Sequence, residues 1–204
     1  MIKTAITGVI GSGKSTLSAI LRRQGYAVAD CDAISRQTMQ PGQIGYQRCI
    51  EAFGSEILTD QGQIDRAALA ALVFQAEDLR LKLEAITHPL ILDELNRQAQ
   101  ACEQLLWFAE VPLVFEAGMD NQFDEIITVS APLEMILQRL QEGRGISRAQ
   151  AELRLAAQMS QEEKIRRSTC VIVNDGNLEA MERQILKWIK EKQDGTESER
   201  RIPQ

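Results

Sequence analysis

The chain is poor in metal-binding and cross-linking side chains: one histidine and four cysteines among 204 residues. The cysteines, Cys31, Cys49, Cys102 and Cys170, stand far apart and form no Cys-x-x-Cys pair. A zinc site gathers Cys and His ligands at short spacings, so none is expected. A disulfide framework is not needed either, because a chain of this length buries enough surface to hold its own core. The thiols are therefore expected to be reduced, in a cytoplasmic protein. No apolar run approaches the roughly 20 residues that cross a bilayer. Nor does the N-terminus show the charged region, apolar segment and cleavage site of a secretory signal. Excess positive charge is missing too. The formal net charge is −6, so the bulk composition points to neither nucleic acid nor a membrane as partner. It leaves the oligomeric state open.

What is present is an alternation of strand and helix patterns. Short apolar runs at Ile2–Thr7, Tyr26–Ala29, Leu105–Ala109, Ile126–Val129 and Cys170–Val173 read as buried parallel strands. Helical patterns separate them. One runs from Thr16 to Gln24 and stops at Gly25; another carries the stripe Leu178, Met181, Ile185, Trp188 and Ile189. The pattern predicts an α/β fold with a central, parallel five-stranded sheet flanked by helices.

Two intervals exceed the roughly 2–6 residues of an ordinary connection. Residues 33–104 hold helical patterns from Asp65 to about Ala85 and from Pro89 to about Cys102, as expected of a helical insertion. Residues 136–167 hold two helical segments broken at "EGRGIS", with seven basic residues against four acidic ones, as expected of a basic lid. Within it, "EEKIRR" reads as ordinary i,i+4 helix pairing, and Arg148 and Arg154 as solvated charges. Residues 1–32, 105–135 and 168–192 then form the core. Residues 193–204, polar and unpatterned, are expected to be a mobile tail.

The stretch "ITGVIGSGKST" joins the first strand to the first helix. Gly8 to Ser15 fit G-x-x-x-x-G-K-[ST], in the strand–loop–helix context the motif requires. Glycines let the backbone curl so that successive N–H groups face phosphate oxygens, and the helix adds its positive end. Gly11, Ser12, Gly13, Lys14, Ser15 and Thr16 are the expected phosphate contacts. Lys14 reaches the β and γ phosphates, and the Ser15 hydroxyl is placed to ligate Mg²⁺. The loop specifies nucleotide binding and leaves the reaction open.

Other candidates lie near strand ends. Asp30 and Asp32 follow the second apolar run. A carboxylate there can take a proton from an acceptor hydroxyl or support Mg²⁺, but helix capping suits either residue equally well. Glu110 follows the third run, where an acid helps hold Mg²⁺, and Glu116 comes a little later, where an acid can face substrate; each reads equally well as a solvated loop acid. His88 precedes a proline read as the start of a helix. Arg139 and Arg144 flank the break in the basic interval, where a closing lid neutralises transition-state charge. From these residues alone three readings stand. The chain is a two-substrate phosphoryl transferase with an acceptor yet to be named, a nucleotide-dependent switch with no acceptor, or a kinase for a small nucleoside-like acceptor. No N-K-x-D guanine-reading segment is present.

The ordered series "ITGVIGSGKST", "DCDAISRQ", Phe53-Gly54, "GQIDRAAL", "HPLI", "VPLVFE", "RLQEGRGIS", "AAQMSQEEK" and "VIVNDG" resembles the dephospho-coenzyme A kinases, along almost the whole chain to about Lys190. The resemblance implies a phosphate-loop kinase core, a helical acceptor-binding insertion and a helical lid. It implies phosphoryl transfer from ATP, with Mg²⁺, to the ribose 3′-hydroxyl of dephospho-coenzyme A, the last step of coenzyme A synthesis. It also implies that Asp32 is the base, Arg139 a lid arginine, and His88 part of the acceptor side. Four positions depart from the family's usual pattern. Val9 stands for a second glycine, Glu110 for Asp, Gly143 for a second lid arginine with Arg144 one place later, and Ser168-Thr169 for Ala-Asp.

Overall fold

The computed structural model describes residues 1–73 and 76–200, without the side chains of residues 144 and 196–200. The chain divides into two compact units, Met1–Ala29 with Cys102–Gln204, and Asp30–Ala101.

The first unit is built on the sheet. Its strands are β1 (Ile2–Thr7), β2 (Val28–Asp30, reaching one residue past the unit), β3 (Leu106–Glu110), β4 (Glu125–Ser130) and β5 (Cys170–Val173), in the order β2-β3-β1-β4-β5. β1 pairs in parallel with β3 and β4, and β4 with β5. Ile6 is opposite Glu110, Thr7 opposite Thr128, and Ser130 opposite Val173. The register therefore sets the loops that begin at Gly8, Val111, Ala131 and Asn174 along one edge, the carboxyl edge where open α/β sheets bind ligands.

Helices α1 (Lys14–Arg23) and α9 (Leu178–Arg200) bury apolar stripes against this sheet. Leu17 and Leu21 from α1, and Met181, Ile185 and Trp188 from α9, share one core with Ile6, Phe108, Ile127 and Ile172. Tyr26 meets Phe108 edge-on, with ring centroids 5.5 Å apart. α9 continues through residues 193–200, where the sequence predicts a mobile tail. At the start of this stretch Gln193 donates to the Tyr26 hydroxyl at 3.3 Å. Residues 201–204 lie outside the described residues.

Three shorter helices, α6 (Leu133–Arg144), α7 (Arg148–Ala156) and α8 (Gln161–Arg167), connect β4 to β5. At the edge strand β5, the Gln184 carboxamide both accepts from the Val173 N–H and donates to the Val173 carbonyl, each at 2.9 Å.

The second unit is helical: α2 (Cys31–Thr38), α3 (Ile44–Phe53), α4 (Arg66–Val73) and α5 (Glu77–Gln100). Its core joins Cys49, Phe53, Ile57 and Leu69. Pro89 does not start a helix as its sequence context predicts; it lies inside α5. An internal proline costs about 3 kcal/mol through its missing N–H and ring clash. Here Thr87, Ile91, Leu95 and Ala99 are all buried at four-residue spacing, and that continuous stripe carries the helix through the proline.

Candidate active site

The phosphate loop runs from Gly8 to the first turn of α1. Gly8, Gly11 and Gly13 have φ of 144°, 80° and 106°, a region closed to most side chains. A Cβ on Gly13 would lie 1.9 Å from Asn174 Nδ2, and one on Gly8 would lie 2.4 Å from the Val129 carbonyl oxygen. Gly13 is the N-cap of α1, yet no side chain caps the helix and its first turn carries no acid. The positive helix end is thus left for an anion. The Lys14 ammonium donates to the carbonyls of Gly8 at 2.9 Å and Val9 at 3.1 Å. Ser15 is exposed and Thr16 half-buried in the same turn.

Arg139 on α6 reaches the later part of the loop. Its guanidinium donates to Asn174 Oδ1 at 3.0 Å and makes longer contacts, 3.4 Å each, to the carbonyls of Gly11 and Ser12. Asn174 is 2% exposed and donates from Nδ2 to the Ser12 carbonyl at 2.8 Å. This asparagine, in "VIVNDG", is a site residue that the sequence marks only as part of a motif. Its partners Arg139 and Ser12 lie 35 and 162 positions away, so local pattern carries no sign of the contacts.

Glu110 ends β3 and accepts from the Ser18 hydroxyl at 2.8 Å. Ser18 lies one turn after Ser15 on α1, so Glu110 stands beside the helix that carries the expected Mg²⁺ hydroxyl. Among the described residues no three His, Cys, Asp or Glu side chains cluster as a metal cage. A hydroxyl and a carboxylate beside a phosphate loop fit Mg²⁺ as it is usually held, by few protein oxygens with phosphate oxygens and water.

Glu116, expected to face substrate, has both carboxylate oxygens engaged within the protein. Oε1 accepts from the Met159 N–H at 3.0 Å and Oε2 from Lys164 Nζ at 2.7 Å. Lys164 is fully buried, also donates to the Pro112 carbonyl at 3.0 Å, and lies over the Phe115 ring. Burial pushes the Lys164 ammonium below its ordinary value, and Glu116 opposes that shift. Within "EEKIRR" the ion pair formed is Glu163 with Arg166, spaced i,i+3, not the i,i+4 pairing expected. Lys164 turns inward instead. Arg148 pairs with Glu134 and Glu152 on the surface, as a solvated charge does.

In the second unit, Asp30 is the N-cap of α2 and accepts from the Ala33 N–H at 2.9 Å. That resolves which of the two acids caps. Asp32 is left exposed in the first turn. Between them, the Cys31 thiol is pushed up to about 12 by burial and by the two carboxylates. His88 lies half-buried on α5, and burial holds its imidazole below the ordinary value against a smaller opposing effect of Glu84. The first unit thus gathers the loop, Glu110, Arg139 and Asn174, while Asp32 and His88 belong to the second.

A model of the CoaE dephospho-CoA kinase family matches residues 2–180. The chain belongs to the dephospho-CoA kinase family. It is 43% identical over 190 residues to a dephospho-CoA kinase of Carboxydothermus hydrogenoformans, covering 90% of this chain and 92% of that one. Among solved structures it is similar to TT1252 from Thermus thermophilus. The TM-score there is 0.85 at 37% identity, over 94% of this chain and 97% of that one. It is also similar to the dephospho-CoA kinase from Campylobacter jejuni, with TM-score 0.69 at 27% identity, over 95% and 98% of the two chains.

Two of the departures from the dephospho-CoA kinase pattern, Val9 and Ser168-Thr169, have physical accounts. Val9 is 3% exposed and packs with Ala131, Ile136, Leu137, Leu140 and Ala151. Its φ is not positive, so the side chain costs no backbone strain. Thr169 uses its hydroxyl to bridge the N–H and carbonyl of Ile126, and Ser168 donates to the Lys164 carbonyl at 2.7 Å. Hydroxyls therefore tie the entry of β5 to its neighbours where the family usually has an acid. α6 runs through Gly143 and stops at Gly145, with φ 63°. The Arg144 side chain lies outside the described residues.

Proposed function

We propose that this chain transfers the γ-phosphoryl group of ATP to the ribose 3′-hydroxyl of dephospho-coenzyme A, giving coenzyme A and ADP, in the cytoplasm. The observation that carries this reading is the family match over residues 2–180. The acceptor oxygen attacks the γ phosphorus, the bond to the β–γ bridging oxygen breaks, and the hydroxyl proton passes to Asp32. Asp32 is suited to this because Asp30 takes the capping role and leaves it exposed. The amides from Gly11 to Thr16 cradle the phosphates, and Lys14 neutralises them. Arg139 supplies positive charge beside the loop and helps exclude water. Mg²⁺ entering with ATP would be held by Ser15 and Glu110 and would neutralise phosphate charge. The unit Asp30–Ala101, with His88, takes the acceptor, and residues 136–167 form the lid. Glu116 is assigned to holding α8 and the segment before it, because one oxygen accepts from Lys164 and the other from the Met159 N–H.

ADP release from ATP and Mg²⁺, with dephospho-coenzyme A or a panel of nucleosides as acceptor, tests the reading. Stimulation by dephospho-coenzyme A alone is expected. Equal turnover with and without it would sink the proposal.

A further inference from the structure

The phosphate loop is gripped from a direction that its own motif does not explain. Gln158 Oε1 accepts from the Ile10 N–H at 2.9 Å, joining positions 148 residues apart. Val9 and Ile10 also pack into the apolar cluster of α6 and α7, beside Ala151 and Leu155. The backbone that carries the carboxamide is braced on both sides in sequence. The Gln158 main-chain N–H donates to the Leu155 carbonyl at 3.1 Å, tying the residue to the last turn of α7. The next residue, Met159, donates to Glu116, which the buried Lys164 fixes in turn. Two residues later, Gln161 accepts from the Ala131 N–H and donates to its carbonyl. A segment anchored at this many points presents the carboxamide oxygen in one place. An amide of a phosphate loop left without an acceptor would turn toward another partner, and the curl of the loop would change with it.

We infer that Gln158 is a positioning residue for the phosphate loop: through the Ile10 N–H it holds the loop in the conformation that receives the nucleotide phosphates. This deepens the kinase reading and rests on it for the identity of the nucleotide. The bond acts before chemistry, so its loss weakens nucleotide binding uniformly and leaves the chemical step alone.

The test compares Gln158→Ala and Gln158→Met, the second keeping bulk without a carboxamide oxygen, in the full chain. ATP affinity is read by calorimetry without acceptor, KM and kcat by ADP release, and the Ile10 amide by hydrogen exchange. Both variants are expected to speed exchange at Ile10 and to weaken ATP roughly 3–10-fold, the worth of one net hydrogen bond. The KM for dephospho-coenzyme A and kcat should stay within about twofold. Faster Ile10 exchange with unchanged ATP affinity would overturn the inference. So would equal rises in KM for both substrates, which a general loosening produces, or unchanged exchange at Ile10 in both variants. Failure of the wild-type chain to phosphorylate dephospho-coenzyme A is a separate outcome: it sinks the kinase reading, while calorimetry still decides Gln158.

Discussion

Lys164 Nζ lies 2.7 Å from Glu116 Oε2, and the lysine is fully buried while the Glu116 side chain keeps 23% of its exposure. The two partners are therefore not equivalent. Removing the acid leaves a buried cation with its charge unpaired, held by the Pro112 carbonyl and the Phe115 ring; removing the cation leaves an acid that can hydrate.

Glu116→Ala should be the more damaging single change, costing about 3–5 kcal/mol as expected for an orphaned buried charge. Lys164→Met should cost less, and the double variant less than the sum of the two. Urea unfolding of the four proteins measures this. An equal loss in both single variants would refute the asymmetry.

Asp30 and Asp32 should separate by readout. Asp30→Ala loses the α2 cap and should cost about 1 kcal/mol. Asp32→Asn should leave the unfolding midpoint almost unchanged and lower kcat by roughly 10²–10⁴, the usual worth of a general base. Near-normal turnover in Asp32→Asn would remove the base assignment.

His88 makes stability depend on pH in a defined direction. Burial lowers its folded value below the ordinary 6.5, so the unfolded chain binds more protons between the two values. Stability contributed by His88 is then present above the ordinary value and falls as pH drops from there toward the folded value. Unfolding midpoints measured from about pH 7.5 down to about pH 5 should show this decline, and His88→Gln should flatten it. An unchanged slope in the variant would mean that other groups carry it.

Val9→Gly, which restores the family's usual residue, should destabilise this chain. It removes a buried side chain worth about 1.5–3 kcal/mol and adds backbone freedom to the unfolded state. Thermal unfolding reads the loss. A neutral result would show that α6 and α7 close over the space.

The parts legible in the sequence are those where local pattern and tertiary need agree. Five apolar runs overlap five strands, Ile2–Thr7 and Cys170–Val173 residue for residue, while of the run Tyr26–Ala29 only Val28 and Ala29 are strand, in β2, which adds Asp30. The phosphate loop is legible because its glycines are required by positive φ and close approach. Pro89 misleads because a local rule loses to a buried stripe that spans it. Gln158, Lys164 and Asn174 are illegible for a different reason. Each is a polar residue whose meaning lies in a partner 148, 48 or 162 positions away, and neither periodicity nor charge pairing records such distances.

Gln184 serves the molecule's outer boundary. An edge strand offers its outward N–H and carbonyl as a template on which another chain can add a strand. At Val173 both groups are already matched by one carboxamide, in the pattern a neighbouring strand would use. The side chain imitates one residue of a sixth strand, and any incoming strand must first break two bonds to take its place. Association of these chains by sheet extension is thereby discouraged at the end of β5, at the expense of a single glutamine.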